Sequence, residues 1–192
     1  MKQLPDQNLS DEKLVHLCQG RAPGDSRPFR ALAARYRGRV INTAYRFLGN
    51  PHDAEDAAQE VFLKVYRGLP GFQSASSFST WLYTITVNVC KNRLRRRSRR
   101  PTLLEPDLKS MGVRLPKTPS AERAAIAHER RDSIQETLNR LSETQREALI
   151  LRDVQGLGYQ QIAEVLGIGL SASKMRVRRA RLAFRELYGE DG

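Results

Sequence analysis

Apolar residues recur at spacings of three and four positions along most of this chain of 192 residues, which is the periodicity of amphipathic helices. The longest stripe runs from Phe29 to Phe47 and ends at residues 49–51, where a glycine and a proline stop a helix. Other stripes predict a short helix near the N-terminus, one after Asp53, and one that starts at Phe78 and runs into a series of arginines. No segment shows the strict alternation of a β-strand. The pattern therefore predicts an all-α fold.

Start and stop signals for the helices predict several local details. Asp53 has the residue type of an N-cap and precedes an apolar stripe. Residues 21–28 contain a glycine and two prolines and are expected to form a loop. Near the C-terminus, Ser171 is expected to cap the last helix, with Leu170 and Met175 as a hydrophobic staple around the cap.

Residues 101–120 contain four prolines and no sustained periodicity, which is the composition of a linker. The prolines would keep such a segment extended, and about 20 residues in that state span about 60 Å. We therefore expect two small helical domains, residues 1–100 and 121–192, joined by this linker. In the second domain, apolar periodicity predicts helices over residues 121–141, 143–154, 159–166 and 172–188.

The chain is strongly basic, with 33 lysines and arginines against 21 acidic residues and a formal charge of +12. Such a charge indicates an anionic partner, and arginine forks suit phosphates and guanine edges. Seven of the ten residues from 91 to 100 are basic. They follow a predicted helix that carries Trp81, Tyr83 and Asn88, and aromatic and amide groups beside arginines suit opened DNA, whose bases are unstacked. The same aromatic residues would also suit a helical core.

Nothing in the sequence indicates catalysis or a bound cofactor. Cys18 and Cys90 have no CxxC partner and are expected to be reduced structural thiols, and His16, His52 and His128 are isolated from one another. No phosphate loop, metalloprotease or serine-hydrolase motif is present. We expect no enzyme, no metal, no cofactor and no small-molecule substrate. The polar N-terminus and the absence of an 18-residue apolar stretch predict a cytoplasmic location without membrane insertion.

A helix-turn-helix is readable in the segment GYQQIAEVLGIGLSASKMRVRRAR, residues 158–181. Gly167 would relieve the turn between its two helices. On the second helix, the predicted inward stripe is Ser173, Val177, Ala180 and Phe184, while the other faces carry lysine and arginines. A helix of this polarity fits the major groove of DNA.

One predicted helix is acidic, which is unusual in so basic a chain. Its segment DAEDAAQEVF, residues 53–62, places five acidic or amide side chains on the face opposite the alanines. A protein partner explains such a face better than DNA does. A solvated helix whose acids favour its own N-terminal dipole is the simpler alternative.

Three ordered motifs carry a resemblance to bacterial sigma factors of the extracytoplasmic-function (ECF) group within the sigma-70 family. They are the segment 53–62, the segment FSTWLY with NVCKN and the arginine run (residues 78–100), and LSETQREAL with the helix-turn-helix (residues 141–181). The similarity covers residues 11–188 apart from the linker. It implies a first domain like sigma region 2 and a second like sigma region 4.

The resemblance also implies partners and residue roles. The acidic helix would dock on the clamp coiled coil of core RNA polymerase through Asp53, Glu55, Asp56, Gln59 and Glu60. The flap of the polymerase would be a further contact. The minus-ten element would be bound and melted by Phe78, Trp81, Tyr83, Asn88, Lys91, Asn92, Arg95 and Arg96, with an extruded base held by the loop between residues 71 and 78. The minus-thirty-five element would be bound by Arg152, Ser171, Lys174, Met175, Arg178, Arg179 and Arg181.

The resemblance further implies an anti-sigma factor that covers these surfaces in the inactive state. At positions 173 and 175 this chain departs from the residues usual in the family, which leaves its promoter preference open. Two other functions would also use a basic helix-turn-helix, and each makes a different prediction. A free-standing helix-turn-helix regulator would have no need for the acidic helix, and a nucleic-acid-modifying enzyme with a basic tail would show nuclease or transferase activity.

Overall fold

The computed structural model describes residues 9–20, 26–99 and 119–189 of the chain, and every long element in these ranges is an α-helix. The predicted all-α fold is therefore confirmed. In chain order the helices are α1 (Asp11–Gly20), α2 (Arg27–Leu48), α3 (Pro51–Gly68), α4 (Phe78–Arg99), α5 (Pro119–Arg140), α6 (Glu143–Leu149), α7 (Tyr159–Leu166) and α8 (Leu170–Gly189). None of the described helices is both long and apolar enough to cross a membrane.

Helices α1 to α4 form the first bundle, in which α2 packs against α1, α3 and α4. Most of the predicted stripe of α2 is buried, including Leu32, Val40 and Phe47. Helix α2 ends at Leu48 and is followed by Gly49, whose φ of 75° is left-handed. Helix α2 begins at Arg27, so the predicted end of the loop at residue 28 is wrong. Pro28 is compatible with the first helical turn, because a backbone N–H at that position would have no hydrogen-bond acceptor within the helix. Residues 21–25 lie outside the described ranges.

The predicted N-cap of α3 is also wrong. Asn50 is the cap: its side-chain oxygen accepts a hydrogen bond from the backbone N–H of Asp53 at 3.1 Å. Pro51 follows as the first helical residue, where its fixed φ is favourable. Asp53 therefore lies in the first turn of the helix, where its negative charge is favoured by the helix dipole.

Helices α5 to α8 form the second bundle. After α6, a π-helical turn over Ile150–Val154 leads to the helix-turn-helix formed by α7 and α8. Gly167, predicted to relieve the turn between these helices, is left-handed, with φ at 63°. The predicted cap at Ser171 is wrong, since α8 begins at Leu170 and the backbone N–H of Ser173 donates to the carbonyl oxygen of Gly169.

The hydrophobic staple predicted around that cap is wrong as well. With α8 starting two residues earlier than predicted, Leu170 and Met175 are both exposed, at 42% and 43%. At the other end of the bundle, α5 starts at Pro119, inside the predicted linker. The rest of the linker, up to residue 118, lies outside the described ranges.

The two bundles pack against each other, which the sequence did not predict. Helix α7 lies against α4, and α5 lies against α2. The buried residues of both bundles form one continuous apolar cluster. Polar contacts accompany this packing, including a hydrogen bond of 2.8 Å from the Tyr83 hydroxyl to the side-chain oxygen of Gln155.

Candidate nucleic-acid and protein interfaces

One face of α4 gathers most of the residues predicted to bind the minus-ten element. Asn88, Asn92 and Arg95 are exposed and are spaced four and three positions apart, so they share one side of the helix. Arg96 is exposed next to them, and Arg99 extends the same side by one turn. This surface, here called the α4 basic face, presents two amides followed by three guanidinium groups.

Two other residues predicted for the same element lie elsewhere on α4. Tyr83 is only 1% exposed, and burial raises the pKa of its hydroxyl. The Lys91 ammonium faces the second bundle, where it lies 2.8 Å from Oε1 of Glu147 and 3.6 Å from Glu143. The structure therefore brings Asn88, Asn92, Arg95 and Arg96 together but turns Tyr83 and Lys91 toward α6 and the π-helical turn.

The aromatic residues at the start of α4 are largely core. Phe78 is 5% exposed and meets the ring of Tyr36 edge-on, so it is a residue of the core. Trp81 is partly buried and stacks on Phe72 with the ring centres 4.8 Å apart. A Cβ atom at position 68 would lie only 3.1 Å from the ring of Trp81. Any residue other than the native Gly68 would therefore displace the indole.

The loop before α4 is exposed and held at its end by a cap that was not predicted. The backbone N–H of Thr80 donates to the hydroxyl of Ser77 at 3.2 Å. Within the loop, Ser74 has a positive φ of 55°, a conformation that costs a non-glycine residue free energy. Gln73, Ser74 and Ala75 are all exposed, so their side chains are open to a ligand.

The second helix of the helix-turn-helix, α8, has the predicted polarity. Ser173, Val177 and Ala180 are buried and Phe184 is half-buried. The opposite side is exposed and carries Ser171, Lys174, Met175, Arg178 and Arg179, all predicted to lie near the minus-thirty-five element. We call this surface the α8 basic face.

Two arginines predicted for that element make contacts within the bundle. The guanidinium of Arg152 donates to the carbonyl oxygen of Leu157 at 2.7 Å and lies over the ring of Tyr159, 4.7 Å from its centre. This arginine therefore ties the π-helical turn to the start of α7. Arg181 forms a bidentate ion pair with Asp153, which raises the pKa of the guanidinium.

The acidic side chains of α3 divide into two groups. Glu60 accepts a hydrogen bond from Nε of Arg93 at 3.3 Å and is half-buried between α3 and α4. Asp53 is also half-buried. The more exposed group runs along the outer side of the helix, here called the α3 outer face, and consists of Glu55, Asp56, Gln59, Leu63 and Tyr66.

Leu63 and Tyr66 were missed by the sequence interpretation, although they are the most exposed large apolar residues among the described ones, at 56% and 51%. Their positions continue the spacing of Asp56 and Gln59 by three and four residues, which is the signal that could have placed them. Exposed apolar groups bordered by charges are typical of a protein-binding surface.

No group of metal-ligating side chains occurs among the described residues. Cys90 is fully buried, and burial raises the pKa of its thiol to about 12. Arg146 on α6 is half-buried. Its guanidinium donates to the carbonyl oxygens of Phe47 and Asn139, and burial lowers its pKa.

Together, a helix-turn-helix with a cationic outer face, a second basic helix and an acidic helix define a DNA-binding protein that also has a protein-binding surface. Comparison with known proteins agrees with this class. The family model for Sigma-70 region 2 matches residues 32–100, and the model for Sigma-70 region 4 matches residues 131–184. Each match falls within one of the two bundles.

Relatives extend the match over nearly the whole chain. The RNA polymerase sigma-H factor of Pseudomonas aeruginosa is 36% identical over 90% of this chain and 91% of its own length. The ECF RNA polymerase sigma-E factor of Escherichia coli strain K12 is 34% identical over 92% of this chain and 93% of its own. A sigma factor from Bartonella quintana, solved with the anti-sigma factor NepR, shares the fold with a TM-score of 0.65 at 24% identity, covering 85% of this chain and 98% of that one.

The chain therefore belongs to the sigma-70 family and is an ECF sigma factor. Sigma factors are transcription initiation factors and not enzymes. The alternative of a free-standing helix-turn-helix regulator is not favoured, because the match covers the first bundle as well as the second.

Proposed function

We propose that this chain binds core RNA polymerase through the α3 outer face and directs it to promoters bound by the α4 and α8 basic faces. One observation carries the proposal: the α3 outer face groups acids, an amide and two exposed apolar side chains, whereas the α4 and α8 basic faces group polar side chains with arginines and a lysine. Separate surfaces of one chain can then hold a protein and DNA at the same time.

Docking on polymerase would use both the charge and the apolar groups of the α3 outer face. Acidic side chains steer a basic partner into register, while desolvation of Leu63 and Tyr66 contributes affinity. The ring of Tyr66 is already positioned by an edge-on contact with Phe29, so little side-chain entropy is lost on binding. We propose the clamp coiled coil as the partner of this face, with the flap contacting the second bundle.

Promoter melting would be the work of the α4 basic face. Flipped bases of the minus-ten element can be held by the amides of Asn88 and Asn92 and by the exposed loop before α4, while Arg95 and Arg96 retain the phosphates. Opening the duplex costs a few kcal/mol per flipped base, and base capture together with polymerase contacts can offset it without nucleotide hydrolysis.

The α8 basic face would enter the major groove at the minus-thirty-five element. Lys174 and Arg178 point outward from the N-terminal half of the helix, the part that reaches base edges in helix-turn-helix proteins. Arg152 and Arg181 would act partly by positioning, because both hold neighbouring segments in place. We place a chain with these partners in the cytoplasm. Because the Bartonella quintana relative was solved in complex with an anti-sigma factor, we propose that an anti-sigma factor also binds this chain and holds it inactive.

Charge reversal on the α3 outer face tests the docking step. The double variant Glu55→Lys with Asp56→Lys reverses the exposed Glu55 and Asp56, whose side chain is 46% exposed, and leaves the Glu60–Arg93 pair intact. We expect binding to core polymerase, measured by fluorescence anisotropy of the labelled chain, to weaken at least 100-fold, because like charges would meet at the interface.

The matched control is Glu129→Lys with Glu136→Lys, which makes the same change of net charge on exposed positions of α5. This control is expected to bind polymerase as the unaltered chain does. Both variants should retain their helical circular dichroism. Equal polymerase affinity for the α3 variant and the control would contradict the proposed docking face.

A further inference from the structure

The side chain of Gln19, near the end of α1, contacts the turn that follows α3. Its Nε2 donates to the carbonyl oxygen of Leu69 at 3.1 Å and to that of Phe72 at 2.7 Å. An amide nitrogen carries two hydrogens, so both bonds can form at once. The turn, Leu69–Gly71, is also closed by a bond of 3.2 Å from the backbone N–H of Phe72 to the carbonyl oxygen of Leu69. Gln19 therefore fixes the backbone at the point where the chain leaves α3.

This backbone position leads directly into the largely exposed segment before α4, residues 73–77, here called the α3–α4 loop. The ring of Phe72 stacks on Trp81, with the ring centres 4.8 Å apart, and lies edge-on to Phe78 with centres 6.4 Å apart. A shift of the Phe72 backbone would break these contacts, because aromatic pairs depend on the relative orientation of their rings. Gln19 thus holds the residue that joins the start of the loop to α4.

The other end of the α3–α4 loop is also tied to α1. Phe78, the first residue of α4, meets the ring of Tyr36 edge-on, with the ring centres 5.5 Å apart. The hydroxyl of Tyr36 donates to the carboxylate of Asp11 in the first turn of α1. One short helix therefore supports both ends of the loop, through Gln19 at one end and through Asp11 at the other.

Fixed ends matter because the loop itself holds a strained residue. Ser74 has a φ of 55°, and such a conformation persists only where the surrounding structure determines it. Gln73, Ser74 and Ala75 are exposed, so packing contributes little to holding them in place. Fixing both ends of a short loop also reduces the conformational entropy that is lost when the loop binds a ligand.

We propose that Gln19 is a positioning residue for the minus-ten element: it holds the α3–α4 loop in the conformation that accepts a flipped base. Gln19 acts through two carbonyl oxygens and needs no contact with DNA. It lies outside the segment that the region 2 model matches, residues 32–100. The role in DNA binding rests on the proposed function of the loop. The anchoring of the loop does not, because it is a property of the free chain.

Fluorescence of Trp81, the only tryptophan of the chain, reports the anchor without DNA. Gln19→Met keeps the length of the side chain and removes both donors. We expect the quenching constant of acrylamide to rise about twofold, because the stacked ring of Phe72 is released. Gln19→Lys restores a donor and should return quenching to the unaltered value. The matched control His16→Met, at another exposed position of α1, should quench as the unaltered chain does. Equal quenching of Gln19→Met and the control would overturn the anchoring.

Oligonucleotide binding by the chain in complex with core polymerase tests the role in base capture. The probe is a single strand that carries the minus-ten element of a promoter on which this complex initiates, and a matched series replaces each base in turn by an abasic site. We expect one abasic position to weaken binding by the unaltered chain about tenfold, the usual scale for one captured base. With Gln19→Met this ratio should fall to about two, while His16→Met and Gln19→Lys should retain it. Added charge cancels in the ratio, because both strands carry the same phosphates.

The positioning role and the proposed function fail in different ways. A ratio that stays at the unaltered value in Gln19→Met would overturn the positioning role and leave base capture by the loop in place. Equal binding of the intact strand and of every abasic strand by the unaltered chain would refute base capture, and with it the role of Gln19 in DNA binding. Circular dichroism and urea denaturation verify that Gln19→Met is folded and as stable as the control, so that a lowered ratio reports the loop and not the fold.

Discussion

The hydroxyl of Ser173 on α8 lies 3.0 Å from the carbonyl oxygen of Tyr159 at the start of α7. The same hydroxyl is 2.7 Å from the carbonyl oxygen of Leu170, and its single proton can be donated to either. Ser173 is fully buried between the two helices of the helix-turn-helix. A polar side chain thus sits at the crossing of α7 and α8, and it fixes their relative position where an aliphatic residue would only fill space.

Replacement of this buried serine should weaken the second bundle. We expect Ser173→Ala to lower the free energy of unfolding by about 1 kcal/mol, the usual net value of a buried hydrogen bond. Chemical denaturation followed by circular dichroism measures the change. Ser171→Ala, at an exposed position two residues earlier, should leave stability within about 0.5 kcal/mol. Equal stability of the two variants would show that the hydroxyl contributes nothing.

The cap of α3 gives a second stability prediction. Asn50→Ala removes the side-chain acceptor of the Asp53 N–H and should cost about 1 kcal/mol. The exposed residue Asn42 in the interior of α2 provides the control, because Asn42→Ala removes no cap. Urea titrations of both variants decide the matter. A loss of stability in Asn42→Ala but not in Asn50→Ala would refute the assignment of the cap.

Cys90 should be chemically inert in the folded chain. Only the thiolate reacts with alkylating agents, and burial raises the pKa of this thiol to about 12, well above the ordinary value of a cysteine. In a Cys18→Ser background, we expect alkylation at pH 8 to be slow in buffer and to accelerate as urea unfolds the chain. Mass spectrometry follows the labelling. Rapid modification without denaturant would mean that α4 is not packed as described.

The same thiol makes folding stability depend on pH in the alkaline range. Because its pKa is raised in the folded state, the neutral thiol's contribution is fully present below pH 9 and is lost as pH rises toward 12. Cys90→Ala should remove this part of the dependence, so its stability should fall less steeply between pH 9 and 10.5 than that of the unaltered chain. Parallel alkaline unfolding curves would contradict the predicted shift.

Salt dependence can separate base contacts from phosphate contacts on the α8 basic face. If Arg178 holds a phosphate, Arg178→Ala should weaken binding to all sequences alike and reduce the slope of log affinity against log salt by about 1. If Arg178 contacts a base, the loss should be confined to one sequence, at about 1–3 kcal/mol. Fluorescence anisotropy of the chain with core polymerase on labelled promoters measures both quantities. Arg130→Ala, exposed on α5, should change neither.

Local sequence was sufficient to predict the helices and the buried stripe of α8, because helical periodicity depends only on residues a few positions apart. The turn at Gly167 was predicted for the same reason, since a glycine after a helix is a local signal. The cap of α3 was misplaced because Asn50 and Asp53 are both capping residue types. The proline between them is what selects Asn50, since it is favoured at the first helical position. At α8, the glycine at 169 competes with the serine at 171 in the same way.

Contacts between the bundles could not have been predicted in this manner. Tyr83 and Gln155 are 72 positions apart, and periodicity indicates that a side chain is buried without indicating its partner. The same holds for Glu147, a charged residue within an otherwise apolar stripe, whose partner lies on another helix. Charge segregation between α3 and α8, in contrast, was visible in the sequence because it depends only on which face of one helix each residue occupies.

We propose that this chain acts through polymerase, and transcription in vitro is the decisive test. Core RNA polymerase would be incubated with a library of promoter fragments, with and without the chain, and RNA 5′ ends would be mapped. We predict specific start sites only when both proteins are present, and their loss with Glu55→Lys and Asp56→Lys. Specific promoter binding by the chain alone, with no new start sites on addition of polymerase, would contradict the claim.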